Sequence, residues 1–204
     1  IDAVNDAPSF TATNVTVDED AGAQTINSWI TGFTAGPANE NTQSVNDYVV
    51  NITGGGALLA TAVDVTNAGA LTFEPAADAN GTVTFEVAVQ DDGGTGNGGD
   101  NTSSPQTFTI TIDAVNDEPS FTASGNVTVD EDAGAQTINS WITGFTAGPA
   151  NENTQSVNDY VVNITGGGAL LATAVDVTNA GALTFEPAAD ANGTVTFEVA
   201  VQDN

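Results

Sequence analysis

The chain has 204 residues, 27 of them Asp or Glu, and it contains no Lys, Arg, His, Cys or Met, for a formal charge of −27. Ordinary usage would give about twenty basic side chains in this length. Their absence excludes disulfides and thiolate chemistry, the usual zinc, copper and haem ligands, a His- or Lys-activated nucleophile, and a basic surface for nucleic acid, nucleotide or anionic membrane.

What remains is oxygen chemistry: carboxylates, amides, hydroxyls and backbone carbonyls, the ligands of Ca²⁺. At 40% hydrophobic residues the chain reads as globular rather than as an acidic tail. Its apolar runs are too short for a membrane span, and the start IDAVNDAP has neither a basic segment nor an apolar stretch. The sequence reads as an interior piece of a longer polypeptide.

Taken in chain order, the first copy shows a series of runs on a period of two. Val15 and Val17 flank Thr16; Val63 and Val65 flank Asp64; Leu71 and Phe73 alternate with Thr72 and Glu74. Val83, Phe85, Val87 and Val89 alternate with Thr82, Thr84, Glu86, Ala88 and Gln90, and Phe108, Ile110 and Ile112 with Thr109 and Thr111. Each run has one apolar and one wet face, as antiparallel strands do, and Thr and Val suit a pleated surface. Turn signals separate them at Gly54–Gly56, Asn67–Gly69, Asn80–Gly81 and Gly93–Gly99.

About seven short strands per hundred residues predict an all-β, immunoglobulin/cadherin-like β-sandwich, with Trp29, Phe33, Tyr48, Phe73, Phe85 and Phe108 in the core.

The pattern then repeats. Ile1–Ala12 recurs as Ile112–Ala123 with Glu118 in place of Ala7; Gly125 is inserted; Asn14–Asp91 recurs unchanged as Asn126–Asp203. The period of 111 to 112 residues is one small β-domain. This gives repeat 1 over residues 1–112, repeat 2 over 113–204 and a linker at about 113–119. The second copy stops before the loop and the FTITI strand that close the first, which leaves an open sheet edge. A cut from a longer array is the ordinary source of such an edge; a strand supplied by another molecule is the other.

Four motifs carry chemistry. Asp113-Ala-Val-Asn116-Asp117-Glu118-Pro119 and its earlier version Asp2-Ala-Val-Asn5-Asp6-Ala7-Pro8 gather carboxylates and amides before a stiffening proline. Val17-Asp18-Glu19-Asp20-Ala21-Gly22, repeated as Val129–Gly134, sets three carboxylates side by side, where a cation relieves their repulsion. The loops Ala35–Asn41 and Ala147–Asn153 bring Glu40 and Glu152. Gln90-Asp91-Asp92 opens a glycine loop ending at Asp100, an oxygen-rich composition without the helices and fixed glutamate of an EF-hand.

Through VNDAPSF, the GPANE loop, GALTFEPAADANGT and DDGGTGNGGDNTS, the chain resembles the cadherin-like tandem repeats of giant bacterial surface proteins and adhesins. The resemblance implies extracellular sandwiches stiffened by Ca²⁺. It implies an ion held by Glu19, Asn116, Asp117, Glu152 and Asp203, with Asp113 beside them. Asn5, Asp6, Glu40, Asp91, Asp92 and Asp100 in the first copy, together with Asp20 and Glu131, complete the candidate ligand set. The implied role is that of a structural spacer in cell adhesion, with neighbouring repeats as partners and neither nucleic acid nor membrane insertion. Two other readings stand beside it: a filament subunit joined by strand complementation, and a Ca²⁺-dependent carbohydrate-binding module. Catalysis is not expected, since the paired carboxylates fall on turns and linkers of a repeated unit rather than around one cleft.

Overall fold

Alternating Val and Thr make strands that must bury one face. In the computed structural model, which describes residues 2–204, they do so within two units, Ile1–Val115 and Asn116–Asn204. The division falls inside the segment read as the linker.

The first unit contains β1 (Ser9–Thr11), β2 (Val15–Asp18), β3 (Gln24–Ile26), β4 (Thr31–Thr34), β5 (Val45–Gly54), β6 (Leu59–Val65), β7 (Leu71–Pro75), β8 (Gly81–Asp91) and β9 (Gln106–Asp113). One sheet has the order β2-β9-β8-β5 and the other β3-β7-β6, with β1 and β4 as a short separate pair. All pairs are antiparallel except β2–β9, which is parallel with Val15 opposite Ile110 and Val17 opposite Ile112. After β1 the chain leaves its β4 partner, and β2 joins the other sheet alongside the unit's last strand. The layout is an immunoglobulin/cadherin-like sandwich.

The inward faces of both sheets form one core. Leu71, Phe73, Val83, Phe85, Val87, Val89, Ile110 and Ile112 are all but fully buried. Trp29 stacks edge-on to Phe108 at 5.0 Å and tilted on Phe85 at 5.9 Å. Its indole N–H donates to the Thr13 carbonyl, so the buried ring leaves no polar group unsatisfied. Five of the six aromatics expected in the core are buried; Phe33, on β4, is only partly covered.

The second unit contains β10 (Ser120–Ala123), β11 (Gln136–Ile138), β12 (Ile142–Thr146), β13 (Val157–Gly166), β14 (Leu171–Val177), β15 (Leu183–Pro187) and β16 (Thr196–Asp203). Its sheets are β11-β15-β14 and β13-β16, with β10–β12 as the short pair. Among the described residues no strand stands beyond β16. Val127–Asp130, identical in sequence to β2, forms no strand here. In the first unit that segment is a strand paired with β9; in the second it follows the inserted Gly125 and has no such neighbour among the described residues. Among the described residues no helix is long and apolar enough to cross a membrane.

Candidate metal centre

At one end of the first unit, four segments meet. Pro37 opens a single tight turn, Ala38–Glu40, closed by Glu40 N–H to the Pro37 carbonyl at 2.9 Å. The turn carries Glu40 inward to 3% exposure, where Oε1 accepts the Asp6 N–H at 3.0 Å. Asp91 ends β8 at 1% exposure, and its Oδ1 accepts from Asn5 Nδ2 and from the Gly93 N–H, both at 3.0 Å.

Asn5 is the hub. Its Nδ2 also donates to the Asp100 carbonyl at 2.9 Å, and its Oδ1 accepts from Gln43 Nε2 at 2.7 Å. Gly93 and Gly99 lie against Asn5 so closely that a side chain at either would overlap it. The glycine loop is thus what lets backbone wrap over the amide. Asn5, Glu40, Gln43, Gly93 and Asn97 line a pocket of about 300 Å³.

Three buried oxygens in this cluster receive no hydrogen-bond donor from the described residues: Glu40 Oε2, Asp91 Oδ2 and Gln43 Oε1. A buried carboxylate oxygen without a partner is among the costliest groups a fold can hold. In most proteins a Lys or Arg would answer it; this sequence has neither, nor His. The chain itself therefore offers these oxygens no positive side chain. Carboxylate and amide oxygens at one place are the donor set of a hard cation such as Ca²⁺, so the residues present fit that ion.

The second unit repeats the arrangement. Asp117 N–H donates to Glu152 Oε1 at 2.7 Å, and Gln155 Nε2 donates to Asn116 Oδ1 at 2.8 Å. Glu152 is 4% exposed, and Glu152 Oε2, Gln155 Oε1 and Asp203 Oδ2 receive no donor from the described residues. Asn116 is exposed where Asn5 is buried, because no glycine loop lies over it.

At the first unit's other end, Glu19 follows β2 and is 2% exposed. Its N–H donates to the Asp113 carbonyl and its Oε1 accepts the Val115 N–H, both at 2.9 Å. Asp20, in the left-handed region at φ 60°, accepts the Asp78 N–H at 3.1 Å. The counterpart Glu131 is exposed, since the second unit lacks the strand end that buries Glu19.

Two candidate carboxylates turn elsewhere. Asp92 accepts from the Ser44 N–H at 2.9 Å and the Ser44 hydroxyl at 2.7 Å; these bonds, the backbone one foremost, hold its carboxyl below the ordinary range. Asp100 meets Asn5 through its carbonyl, while its carboxylate accepts the Thr102 N–H at 3.1 Å. Conversely, Gln43 and Gln155 belong to the clusters but escaped sequence reasoning. Their signal is their place three residues after Glu40 and Glu152, an amide beside a candidate ligand.

No family model and no curated protein sequence matches the chain. Among solved structures it is similar to murine CEACAM1b, at 13% identity and a TM-score of 0.30, with 96% of this chain and 95% of that one covered. It is similar to chicken VE-cadherin EC1-2 at 13% identity and 0.30, covering 95% and 91%. A third likeness is to an endo-fucoidan hydrolase of glycoside hydrolase family 107, at 11% identity and 0.31, covering 96% of this chain but 28% of that one. Scores of this size carry no argument about the site, which rests on its own geometry.

Proposed function

We propose that the chain is a pair of calcium-binding extender repeats of a large extracellular bacterial surface protein or adhesin, acting as a structural spacer. One observation supports this above the others: buried carboxylate oxygens without donors, in a chain with no cationic side chain. In this reading the carboxylates are ligands rather than an acid and base pair. Glu40, Asp91 and Gln43 hold Ca²⁺ in the first unit, and Glu152, Asp203 and Gln155 do so in the second. An ion held by Glu152 and Gln155 also fixes Asp117 and Asn116, which are hydrogen-bonded to them, and so stiffens the residues directly after Val115. Affinity in the range of about 10⁻⁴–10⁻³ M suits an extracellular module.

Calorimetric titration of Ca²⁺ into the chain, Glu40→Gln and Glu152→Gln tests this. Each substitution should remove binding in its own unit and leave the other. In chelator, each should melt at or above the parent, because a buried charge has been neutralised. Calcium uptake that either variant leaves unchanged would sink the reading.

Gly36 and Gly148 extend the test. A side chain at either would strike the carboxylate of Glu40 or Glu152 respectively. Gly36→Ala should therefore weaken calcium binding by the first unit about tenfold or more and cost about 1–3 kcal/mol of its stability, with the second unit's binding unchanged. The same titration reads the affinity and chemical denaturation the stability.

A further inference from the structure

The glycine loop that wraps over Asn5 is fixed at its ends and open in its middle. Gly93 and Gly99 lie against Asn5, whereas nothing stands within 4 Å of the place a Cβ would take at Gly94, Gly96 or Gly98. Asn97 sits in that open stretch, between two glycines, in the left-handed region at φ 56° and ψ 23°. It is exposed, and among the described residues its side chain holds no hydrogen bond. It also lines the pocket that contains Glu40 and Gln43, whose Oε2 and Oε1 are buried and lack a donor.

We propose that Asn97 is a site of spontaneous deamidation, and that the carboxylate so formed becomes a further ligand of the first unit's calcium. The proposal rests on the calcium reading above. The step needs only water as co-reactant. The Gly98 backbone nitrogen, losing its proton to solvent, attacks Asn97 Cγ; the Cγ–Nδ2 bond breaks, ammonia leaves, and a cyclic succinimide closes. Water then opens either carbonyl of that ring, giving aspartate or isoaspartate at position 97, and nothing is oxidised or reduced.

In most sequences the side chain of the following residue shields that nitrogen. Gly98 has none, and glycine on both sides lets the Asn97–Gly98 peptide rotate into the geometry of attack. The chain's other two Asn–Gly pairs are held more firmly: Gly81 opens β8 opposite Ile112 and packs on Leu58, and Gly193 packs on Leu170. Either product carries a negative charge at neutral pH where the amide carried none. A hard oxygen added to the lining of a pocket that already holds an unpartnered carboxylate raises the ligand charge, the quantity that tunes calcium affinity. With no Lys, Arg or His in the chain, no cationic side chain competes for the new charge. Deamidation runs in one direction, so the site tightens as the protein ages.

Ageing the chain in warm, mildly alkaline buffer with chelator, followed by peptide mapping, reads the chemistry without metal. Asn97 should convert at least about tenfold faster than Asn80 or Asn192. Asn97→Gln, whose longer side chain closes the ring poorly, should stay unmodified at that position. Calcium titration reads the consequence. Asn97→Asp should bind in the first unit about threefold or more tightly than the parent, with the second unit unchanged. The aged parent should move the same way, and aged Asn97→Gln should not. Conversion at Asn97 no faster than at Asn80, or a first-unit affinity that Asn97→Asp or ageing leaves unchanged, would overturn the proposal and leave the calcium reading intact. A parent that takes up no calcium, fresh or aged, would remove the calcium reading and this proposal with it.

Discussion

Calcium at about 10 mM should raise the melting temperature of both units by about 5–20 °C over chelator. A ligand that binds only the folded state stabilises by RT ln(1 + [L]/Kd), about 1.4–2.7 kcal/mol per site at a ten- to hundredfold excess over Kd. For domains of this size each kcal/mol shifts melting by roughly 4–8 °C. The sign follows from the clusters themselves. Without a cation, folding buries Glu40, Asp91 and Glu152 in surroundings that contain no positive side chain. The unfolded chain leaves them in water, so their burial opposes folding until an ion joins them. Sodium chloride at matched ionic strength should return only part of the gain, since screening weakens repulsion among exposed carboxylates but places no charge beside a buried one. Thermal melting in chelator, calcium and matched sodium chloride separates the two. Equal recovery by sodium chloride would mean that the carboxylates form a solvated coat and not a binding site.

The sandwich was legible because its signal is local. Val83, Phe85, Val87 and Val89 announce a strand by alternation alone, and the repeat makes each element appear twice. Parallel pairing of β2 with β9 was not legible, since Val15 and Val17 carry the same pattern whichever neighbour they meet. The second unit shows how little that pattern decides alone: Val127 and Val129 keep it and form no strand. At the candidate centre, the sequence supplied residue types but not the direction of side chains. Asp91 and Asp92 are adjacent and chemically alike. Asp91 ends an inward-facing row of β8, while Asp92 falls one step later and turns outward to Ser44, as the two-residue period dictates. Gln43 was missed for a related reason. An amide three residues beyond a glutamate is common, and only the folded turn brings its side chain to Asn5.

The same substitution should cost the two units very different amounts. Phe85 is fully buried, 5.9 Å from Trp29 and 6.1 Å from Phe108, so Phe85→Ala should destabilise the first unit by about 3–5 kcal/mol. Phe197 has the same sequence around it and a similar ring contact, 5.8 Å to Trp141, but no β9 strand over it. It is only partly buried, so Phe197→Ala should cost less, about 1–2 kcal/mol. Each unit holds one tryptophan, so variants keeping only Trp29 or only Trp141 report the two transitions separately in denaturant. Every residue from 126 to 203 matches its counterpart, so the main difference around the two rings is the covering strand. Losses equal within about 0.5 kcal/mol would show that β9 adds nothing to the burial of Phe85.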